Sequence, residues 1–358
     1  MPAAARPWTR TALAFLAACT AVGCNDYQLT QFEAQDIFNQ EPAGEVDVLL
    51  VVDNSCSMQP YQSKLASNFD NFLSYLQEGQ VDYNIGVLTT SVQVPDAIAG
   101  TECTQSVVDQ IPAGGNLVGD TIIRDDTPNA DEVFSDLVNV GICGNGYEMG
   151  LESAYLALTP PLSTEENFDF LRGSAMLSLI FVSDEQDSSP LAVDDYINTF
   201  RNVKGLEDRS AMNASALVVN DIDDCNQQQV SSGAVVGSRY IDVASETDGL
   251  LANICADDFA DILTELSLRA SRLRDTFYLT RLPDPATLFV TVDGVEVPCD
   301  AGEWTYQTEG EGNDMVGKIV FERAYLPPPN STVAITYDYG SGDPAGFCTG
   351  ETAGTTGE

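Results

Sequence analysis

Residues 48–57 read VLLVVDNSCS, an apolar run that ends in one carboxylate and two hydroxyls. The run is short, rich in valine and apolar on both faces, which is typical of a buried parallel strand. Directly behind it, Asp53, Ser55 and Ser57 fall in a single loop at the carboxyl end of that strand. Open α/β sheets bind their ligands at this edge, and hard divalent cations prefer such oxygen donors. The stretch predicts an α/β fold with a cation site, although such side chains also cap helices.

Two later segments extend this pattern. Residues 177–182 form a second apolar strand, which leads into Asp184. Residues 143–151, CGNGYEMGL, form a Gly-rich turn that runs into a helix. Together with Asp-x-Ser-x-Ser at 53–57, these segments resemble the metal-ion-dependent adhesion site (MIDAS) of von Willebrand factor A (vWA) domains, over roughly residues 45–275. The pattern is also similar to that of a group of bacterial vWA lipoproteins.

The resemblance implies a doubly wound, mostly parallel α/β sheet with a metal site at its carboxyl edge. The positions that match the family's motif make the expected ligands Asp53, Ser55, Ser57, Asn145 and Asp184. Asn145 departs from the family, which supplies a threonine hydroxyl from this turn. An amide oxygen can also ligate a hard cation, so the expected cofactor is Mg²⁺, with Mn²⁺ or Ca²⁺ as alternatives.

Apolar strands alternate with amphipathic helices in the larger part of the chain. This alternation predicts that the vWA domain covers residues 45–276. Residues 239–243 are expected to form its last strand, and the amphipathic stretch 257–274 its last helix. Residues 102–139 are rich in Gly and Asp and lack a clear period, so they are expected to form an inserted surface loop.

The pattern changes at residue 277. Short alternating strands flank Asp293-Gly294, a strong signal for a two-residue hairpin. Residues 277–340 are therefore predicted to form a small antiparallel β domain. Residues 341–358 are rich in Gly, Thr and Glu, and they are expected to be a flexible tail.

The composition excludes several classes of function. The chain has 358 residues, with 55 acidic against 15 basic side chains and no histidine, and its formal net charge is −40. Nucleic-acid binding depends on Lys and Arg that neutralise phosphates, so it is not expected. An acidic surface also has no attraction to anionic lipid. The lack of histidine excludes Ser-His-Asp and Cys-His catalysis and HExxH zinc proteases.

Residues 1–24 are typical of a lipoprotein signal peptide. Two arginines precede a stretch of apolar and small residues that is too short to span a bilayer and ends at a cysteine. Either Cys19 or Cys24 can carry the lipid; Cys24 is favoured because it leaves an apolar region of ordinary length. Asn25 is not the usual inner-membrane retention signal, so an outer-membrane lipoprotein, attached only through its lipid and facing the periplasm or the surface, is predicted. A secreted protein that is cut nearby is the alternative, and residues 25–44 are expected to be a polar tether.

Seven cysteines follow the signal peptide: Cys56, Cys103, Cys143, Cys225, Cys255, Cys299 and Cys348. They contain no C-x-x-C motif, so disulfides are expected in an exported chain rather than a zinc site. Their positions favour one pair between Cys225 and Cys255, and a second between Cys299 and Cys348.

The first three of these cysteines leave one odd thiol. A bridge between Cys56 and Cys143 would tie together the two metal-site loops. A bridge between Cys103 and Cys143 is equally allowed, and both alternatives stay open at this point.

The resemblance implies a non-enzymatic adhesion or protein-binding module that depends on a divalent cation. An open coordination position on the cation would take an Asp or Glu carboxylate of a protein partner, which the acidic surface would otherwise repel. The alternative is a metal-independent structural scaffold of the cell envelope. A metal-assisted hydrolase would need a general base near the metal, and Asp187 and Glu185 are the candidates.

Overall fold

The computed structural model of the protein describes residues 33–98, 101–204, 211–299, 302–310 and 312–340. The strands are β1 (Glu33–Asn39), β2 (Glu45–Val52), β3 (Asp82–Thr89), β4 (Met176–Ser183), β5 (Met212–Val218), β6 (Leu251–Asn253), β7 (Thr276–Tyr278), β8 (Phe289–Val292), β9 (Val295–Glu296), β10 (Trp304–Glu309), β11 (Val316–Phe321) and β12 (Thr332–Asp338). The helices are α1 (Gln59–Ala66), α2 (Phe69–Glu78), α3 (Gln105–Val108), α4 (Ala130–Val138), α5 (Gly150–Leu158), α6 (Val193–Asn202), α7 (Gln227–Ser231), α8 (Ser238–Glu246) and α9 (Ala260–Ser271).

Several predictions concern parts of the chain outside these ranges. The signal peptide at 1–24, with Cys19 and Cys24, and the tail at 341–358, with Cys348, lie outside the described residues. Within the described ranges, the helices are all too short or too polar to cross a membrane.

The larger unit is built on a five-stranded parallel sheet with the order β3-β2-β4-β5-β6. β2 lies beside both β3 and β4, and it is paired in parallel with each of them along its length. The strand that follows β2 in the chain, β3, lies on one side of the β2–β4 pair. The strand that follows β4, β5, lies on the other side. The carboxyl ends of β2 and β4 therefore border the point at which the strand order reverses, where α/β sheets form a binding crevice.

Alternate residues of β2 face two separate cores. Val48 and Leu50 belong to an apolar cluster that includes side chains of α1, α2, α4 and α9. Leu49 and Val51 belong to a second cluster, which includes side chains of α5, α6 and α8. Since a strand turns successive side chains to opposite faces, the continuous apolar run follows from helices that cover both faces of the sheet.

The smaller unit packs two antiparallel sheets around one core. One sheet has the order β1-β12-β8-β9 and the other β10-β11-β7. Their shared core includes Trp304, Tyr306 and Tyr337. The hairpin between β8 and β9 turns at Asp293 and Gly294, which both have positive φ (51° and 78°), as a type I′ turn requires.

The smaller unit also contains a strand from the segment predicted as a tether. β1 pairs with β12 in antiparallel fashion from Glu33 to Asn39. The carboxylate of Asp36 accepts hydrogen bonds from Thr280 Oγ1 and Tyr337 Oη, each at 2.7 Å. The tether prediction for 25–44 is therefore wrong over β1, because this polar strand lies at a sheet edge and its pairing partner is about 300 residues away.

Two predictions about local structure are also wrong. Residues 239–243, expected to be a strand, lie in α8, where Tyr240, Val243 and Ala244 are buried at helical spacing. The last strand of the parallel sheet is β6 instead. Within 102–139, expected to be a surface loop, the structure has α3 and α4. The ring of Phe134 in α4 stacks on Phe69 with 4.0 Å between the ring centroids, so this part of the insertion belongs to the core.

Candidate metal centre

Asp53 lies at the carboxyl end of β2 with its side chain wholly buried. Its backbone N–H donates to Val182 O of the neighbouring strand at 2.9 Å. Its Oδ1 accepts from the N–H of Ser55 at 2.7 Å, and its Oδ2 from Ser183 Oγ at 2.6 Å. Gln62 Nε2 in α1 donates to the carbonyl of Asp53 at 3.0 Å. The carboxyl group of Asp53 is therefore held in one orientation at the floor of the crevice.

The two serine hydroxyls connect the loop after β2 to the end of β4. Ser55 Oγ lies 3.2 Å from Ser57 Oγ, and Ser57 Oγ donates to Asp184 Oδ1 at 2.9 Å. Asp184 is 1% exposed, and its Oδ2 accepts no hydrogen bond in the described residues. Four of the five residues predicted as ligands, those other than Asn145, are thus linked by hydrogen bonds, with Ser55 reaching Asp53 through its backbone N–H.

Asn145 lies in the turn before α5, beside this group. Its backbone N–H donates to Ser91 Oγ at 3.1 Å, and the side chain is partly buried without a hydrogen bond from a described residue. The preceding Gly144 donates its N–H to Asn54 O at 2.7 Å. A Cβ at Gly144 would overlap the side chain of Asn54, so glycine is required for this close approach of the two loops.

Glu148, in the same turn, is a buried acid outside the predicted set of ligands. It is 1% exposed, and Thr90 Oγ1 donates a hydrogen bond to its Oε2. Its Oε1 accepts no hydrogen bond in the described residues, and its carboxyl group interacts with that of Asp53. One signal was present in the sequence: an acidic residue in a Gly-rich turn that precedes an apolar helix.

Asp53, Glu148 and Asp184 are buried without a basic partner, and Glu148 and Asp184 each interact with the carboxyl group of Asp53. None of the ion pairs among the described residues involves Asp53, Glu148 or Asp184. Burial, followed by the charge of Asp53, raises the pKa of Glu148 to about 9 and that of Asp184 to about 7. Burial also raises the pKa of Asp53, against the hydrogen bonds from Ser183 and Ser55 that lower it. At neutral pH the folded chain therefore keeps protons on this group, and a bound cation would have to displace them.

The oxygen atoms of this region suit a hard divalent cation as ligands. Carboxylate, hydroxyl and amide oxygens are the ligands that Mg²⁺ and Ca²⁺ take in proteins, and the free Oδ2 of Asp184 and Oε1 of Glu148 are unused acceptors. Among the described residues, no three carboxylate or thiol side chains converge closely enough to hold a metal by themselves. A cation in this crevice would therefore need the serine hydroxyls or water as further ligands.

Asp187, considered above as a general base, has a structural role. Its Oδ2 accepts from Arg239 Nε at 2.8 Å, and its Oδ1 accepts from the N–H of Leu151 at 3.2 Å and from Ser189 Oγ at 2.7 Å. These bonds fasten the first turn of α5 to the loop after β4. The other candidate, Glu185, is partly buried, and burial followed by the charge of Asp53 raises its pKa.

Two disulfides hold loops that lead into this region. Cys103 is bonded to Cys143, which decides between the two alternatives for Cys143, and Cys225 is bonded to Cys255. Cys56, in the loop after β2, is an exposed free thiol. A third cysteine pair was predicted at Cys299 and Cys348: Cys299 is disulfide-bonded, and Cys348 lies outside the described residues.

No protein-family model matches this chain, and no curated protein matches it. The solved structures that it resembles include the pilus adhesin SpaC of Lactobacillus rhamnosus GG in an open conformation, at 12% identity and a TM-score of 0.41, over 85% of this chain and 40% of that chain. Another is proximal thread matrix protein 1 of the mussel byssus, at 11% identity and a TM-score of 0.34, over 66% of this chain and 48% of that chain. The chain thus spans less than half the length of either structure, and neither match assigns it to a family.

Proposed function

We propose that this protein is a non-enzymatic binding module whose contact with a protein partner depends on a divalent cation at the carboxyl edge of the parallel sheet. The proposal rests on one observation: Asp53 is buried without a basic partner beside two other buried acids, Glu148 and Asp184, and each of those two has an oxygen that accepts no hydrogen bond from a described residue. Burying a charge is costly unless it is paired or coordinates a metal. A cation is the group that would balance this site.

The residues that would hold the cation are the predicted set, Asp53, Ser55, Ser57, Asn145 and Asp184, with Mg²⁺, Mn²⁺ or Ca²⁺ as candidates. When bound, the cation would supply an open coordination position to an Asp or Glu carboxylate of the partner. The chain's own residues orient this site. Ser183 and the amide of Ser55 fix the carboxyl group of Asp53, and Ser57 sets the position of Asp184.

The family and the location belong to the same proposal. The helices on both faces of the sheet and the reversal of strand order between β2 and β4 support a doubly wound domain of the vWA type. The disulfides at Cys103–Cys143 and Cys225–Cys255 support export from the cytoplasm. With the lipoprotein-like signal of residues 1–24, they fit a lipid-anchored protein of the bacterial outer membrane.

The partner chemistry can be tested on residues 25–358 without knowledge of the natural partner. A displayed library of peptides with a central Asp or Glu would be selected on the immobilised protein in Mn²⁺ and then in EDTA. We expect peptides that bind only with the cation and lose at least about tenfold in affinity when their central acid becomes the amide, a loss of about 1.4 kcal/mol. Direct binding of each selected peptide would be measured by fluorescence anisotropy.

Two variants provide the controls for this selection. Asp53→Ala is expected to abolish capture, because it removes a buried ligand. Glu185→Gln changes a partly buried carboxylate beside Asp184 and is expected to keep capture within about twofold, less than 0.5 kcal/mol. Peptides that bind equally well in EDTA, or to Asp53→Ala, would contradict the proposal and support the metal-independent scaffold.

A further inference from the structure

We infer that a groove between α1 and α7 binds a second acidic side chain of the protein partner, about 10 Å from the acid that the cation would take. The inference rests on the proposed function and goes beyond it. It assigns Lys64 as the residue that recognises the second acid, and it gives the spacing of the two acids in the partner.

The groove opens beside the candidate metal centre. Its volume is about 200 Å³, and Ser57 and Asp184 are among its lining residues. The others come from α1 on one side and from the segment around α7 on the other: Pro60, Tyr61, Lys64, Asn226, Gln228, Gln229 and Ser232. Asp184 is the single acid among these lining residues, although the whole chain has a formal net charge of −40. Apart from Asp184, the lining of the groove is therefore neutral or basic.

The α1 side of the groove follows one face of the helix. Ser57, just before α1, is followed at intervals of four and three residues by Tyr61 and Lys64, which places these residues in line along the helix. At a rise of about 1.5 Å per residue, the distance from Ser57 to Lys64 is about 10 Å. The groove thus extends from the candidate metal centre toward Lys64.

The opposite wall of the groove is held by contacts within the chain. Asn226 and Gln229 form a capping box at the start of α7. Gln229 Nε2 donates to Cys255 O at 3.2 Å, and Cys255 is bonded to Cys225. The groove is therefore a fixed feature of the folded chain, and a partner does not have to order it on binding.

Lys64 is held beside the groove by three contacts. Its Nζ donates to Ala256 O. The same atom lies 5.5 Å from the ring centroid of Tyr61 and 5.0 Å from that of Phe259. Aromatic faces attract cations at such distances. These contacts fix the position of the ammonium group, and none of them neutralises its charge.

The charge of Lys64 is not paired within the described part of the chain. None of the ion pairs there involves this residue. Burial lowers the pKa of Lys64, against the nearby charges of the exposed residues Asp257 and Asp258, which raise it. An ammonium group has three N–H donors, and one of them is used by Ala256. The other donors can bind a carboxylate of a partner.

The partner that fits this arrangement presents two acids on one side of an extended segment. Three residues of polyproline II conformation advance about 9 Å and return the side chain to the same side. An acid three residues before or after the one at the cation would therefore reach Lys64. The contact would be a hydrogen bond between charged groups, which is about twice as strong as a neutral one.

A displayed peptide library with a fixed central Asp and random flanking residues tests this inference on residues 25–358 in Mn²⁺. We expect the selected peptides to be enriched in Asp or Glu three residues from the central Asp. Changing this second acid to its amide should cost about tenfold in affinity with the wild type, and less than about twofold with Lys64→Gln. Fluorescence anisotropy of the labelled peptides measures these affinities.

Lys318→Gln is the matched control, because it removes the same charge from β11 in the smaller unit, where Lys318 binds Glu309. It is expected to keep the full preference for the second acid. No enrichment of a second acid, or an equal preference for it in Lys64→Gln, would overturn the inference. Peptides that depend on Lys64 and on their second acid but bind equally well in EDTA would support the groove and contradict the proposed function.

Gln228 allows a test that leaves Lys64 in place. Its exposed side chain lines the groove from α7. Gln228→Lys is expected to strengthen the binding of peptides with both acids, and Gln228→Glu to weaken it, each by about threefold. Equal affinities of the wild type and both Gln228 variants for these peptides would show that the second acid does not lie in the groove, and would overturn the inference.

Thermal melts with Mn²⁺ separate the groove from the cation site. The rise of the midpoint on addition of Mn²⁺ should be the same in the wild type, Lys64→Gln and Gln228→Lys, because these residues are not proposed to hold the cation. A smaller rise in Lys64→Gln would show that this variant acts through the cation site, and would overturn the assignment of Lys64.

Discussion

Replacing Asp47 by alanine is expected to lower the free energy of unfolding by about 3–5 kcal/mol, the usual cost of removing one partner of a buried ion pair. Asp47 lies on β2, at the end away from the candidate site, with its side chain fully buried. Its carboxylate accepts from Arg172 Nε at 2.8 Å and from Lys204 Nζ at 3.0 Å. The side chain of Lys204 is only 1% exposed. The variant would leave this ammonium group buried without its counter-charge.

Asp82 provides the matched control for this prediction. Its carboxylate binds Nη1 of the same arginine, Arg172, at 2.7 Å, but its side chain is 56% exposed. Asp82→Ala is therefore expected to cost about 1 kcal/mol or less, as exposed ion pairs do. Urea denaturation of both variants, compared through the midpoint at unchanged slope, measures the difference. Equal losses in Asp47→Ala and Asp82→Ala would show that burial does not increase the contribution of the Asp47 ion pairs to the free energy of unfolding.

The second large effect is a loss of stability with rising pH when no divalent cation is present. Folding raises the pKa of Asp184 from 3.8 to about 7 and that of Glu148 from 4.5 to about 9. For a group whose pKa is higher in the folded state, the stabilisation is complete below the unfolded pKa and is lost as pH rises through the folded pKa. Since one pKa unit corresponds to about 1.36 kcal/mol, we expect a loss of about 2–4 kcal/mol between about pH 6 and pH 8.

Few other side chains of this protein titrate between about pH 6 and pH 8. The chain has no histidine, and ordinary carboxyl groups are already ionised above about pH 6. A falling melting midpoint between about pH 6 and pH 8 in EDTA would therefore report the buried acids. Asp184→Asn should reduce this fall, and Glu148→Gln should remove the larger part of it, because Glu148 has the higher pKa. Because a cation needs deprotonated ligands, saturating Ca²⁺ or Mg²⁺ should stabilise more as pH rises. A midpoint that does not change with pH in EDTA would contradict the account of an uncompensated acidic cluster.

The sequence predicts the candidate site to the extent that its residues follow strands. Val48 to Val52 is a short, valine-rich apolar run, which favours a strand covered on both faces, and the residue after such a strand lies at the carboxyl edge of the sheet. The loop after β2 and Asp184 therefore come together in the structure as the spacing indicates, through the contact of Ser57 with Asp184.

The burial of Glu148 cannot be predicted from the sequence, because it depends on contacts between loops. The turn that contains it has no period of its own, and its direction is set by Gly144 against Asn54 and by Ser188 beyond β4. These residues lie on three segments that are far apart in the chain. Spacing within one segment does not show which side of such a turn faces inward.

The errors in secondary structure have a related cause. Residues 239–243 form a short, partly apolar segment, and a run of this length does not distinguish a strand from a helix turn until its packing is known. In the structure, Tyr240 and Val243 pack on the face of the sheet that α6 also covers. β1 was missed because its polar residues at the sheet edge need only a backbone partner, which β12 provides.

The most direct test of the central claim is a thermal melt of residues 25–358 in EDTA, followed by titration with Mg²⁺, Mn²⁺ or Ca²⁺. A cation that binds only the folded state stabilises it by about 2.7 kcal/mol at a concentration of 100 Kd. For a chain of this size, that corresponds to about 4 °C in the midpoint. Asp53→Ala would be measured beside the wild type, with Asp70→Ala, an exposed aspartate of α2, as the matched control.

We expect a saturable rise of the midpoint in the wild type and in Asp70→Ala, and no saturable rise in Asp53→Ala. An equal rise in all three proteins would mean diffuse binding of cations to the acidic surface. That result, or the absence of any rise in the wild type, would contradict a cation site at Asp53.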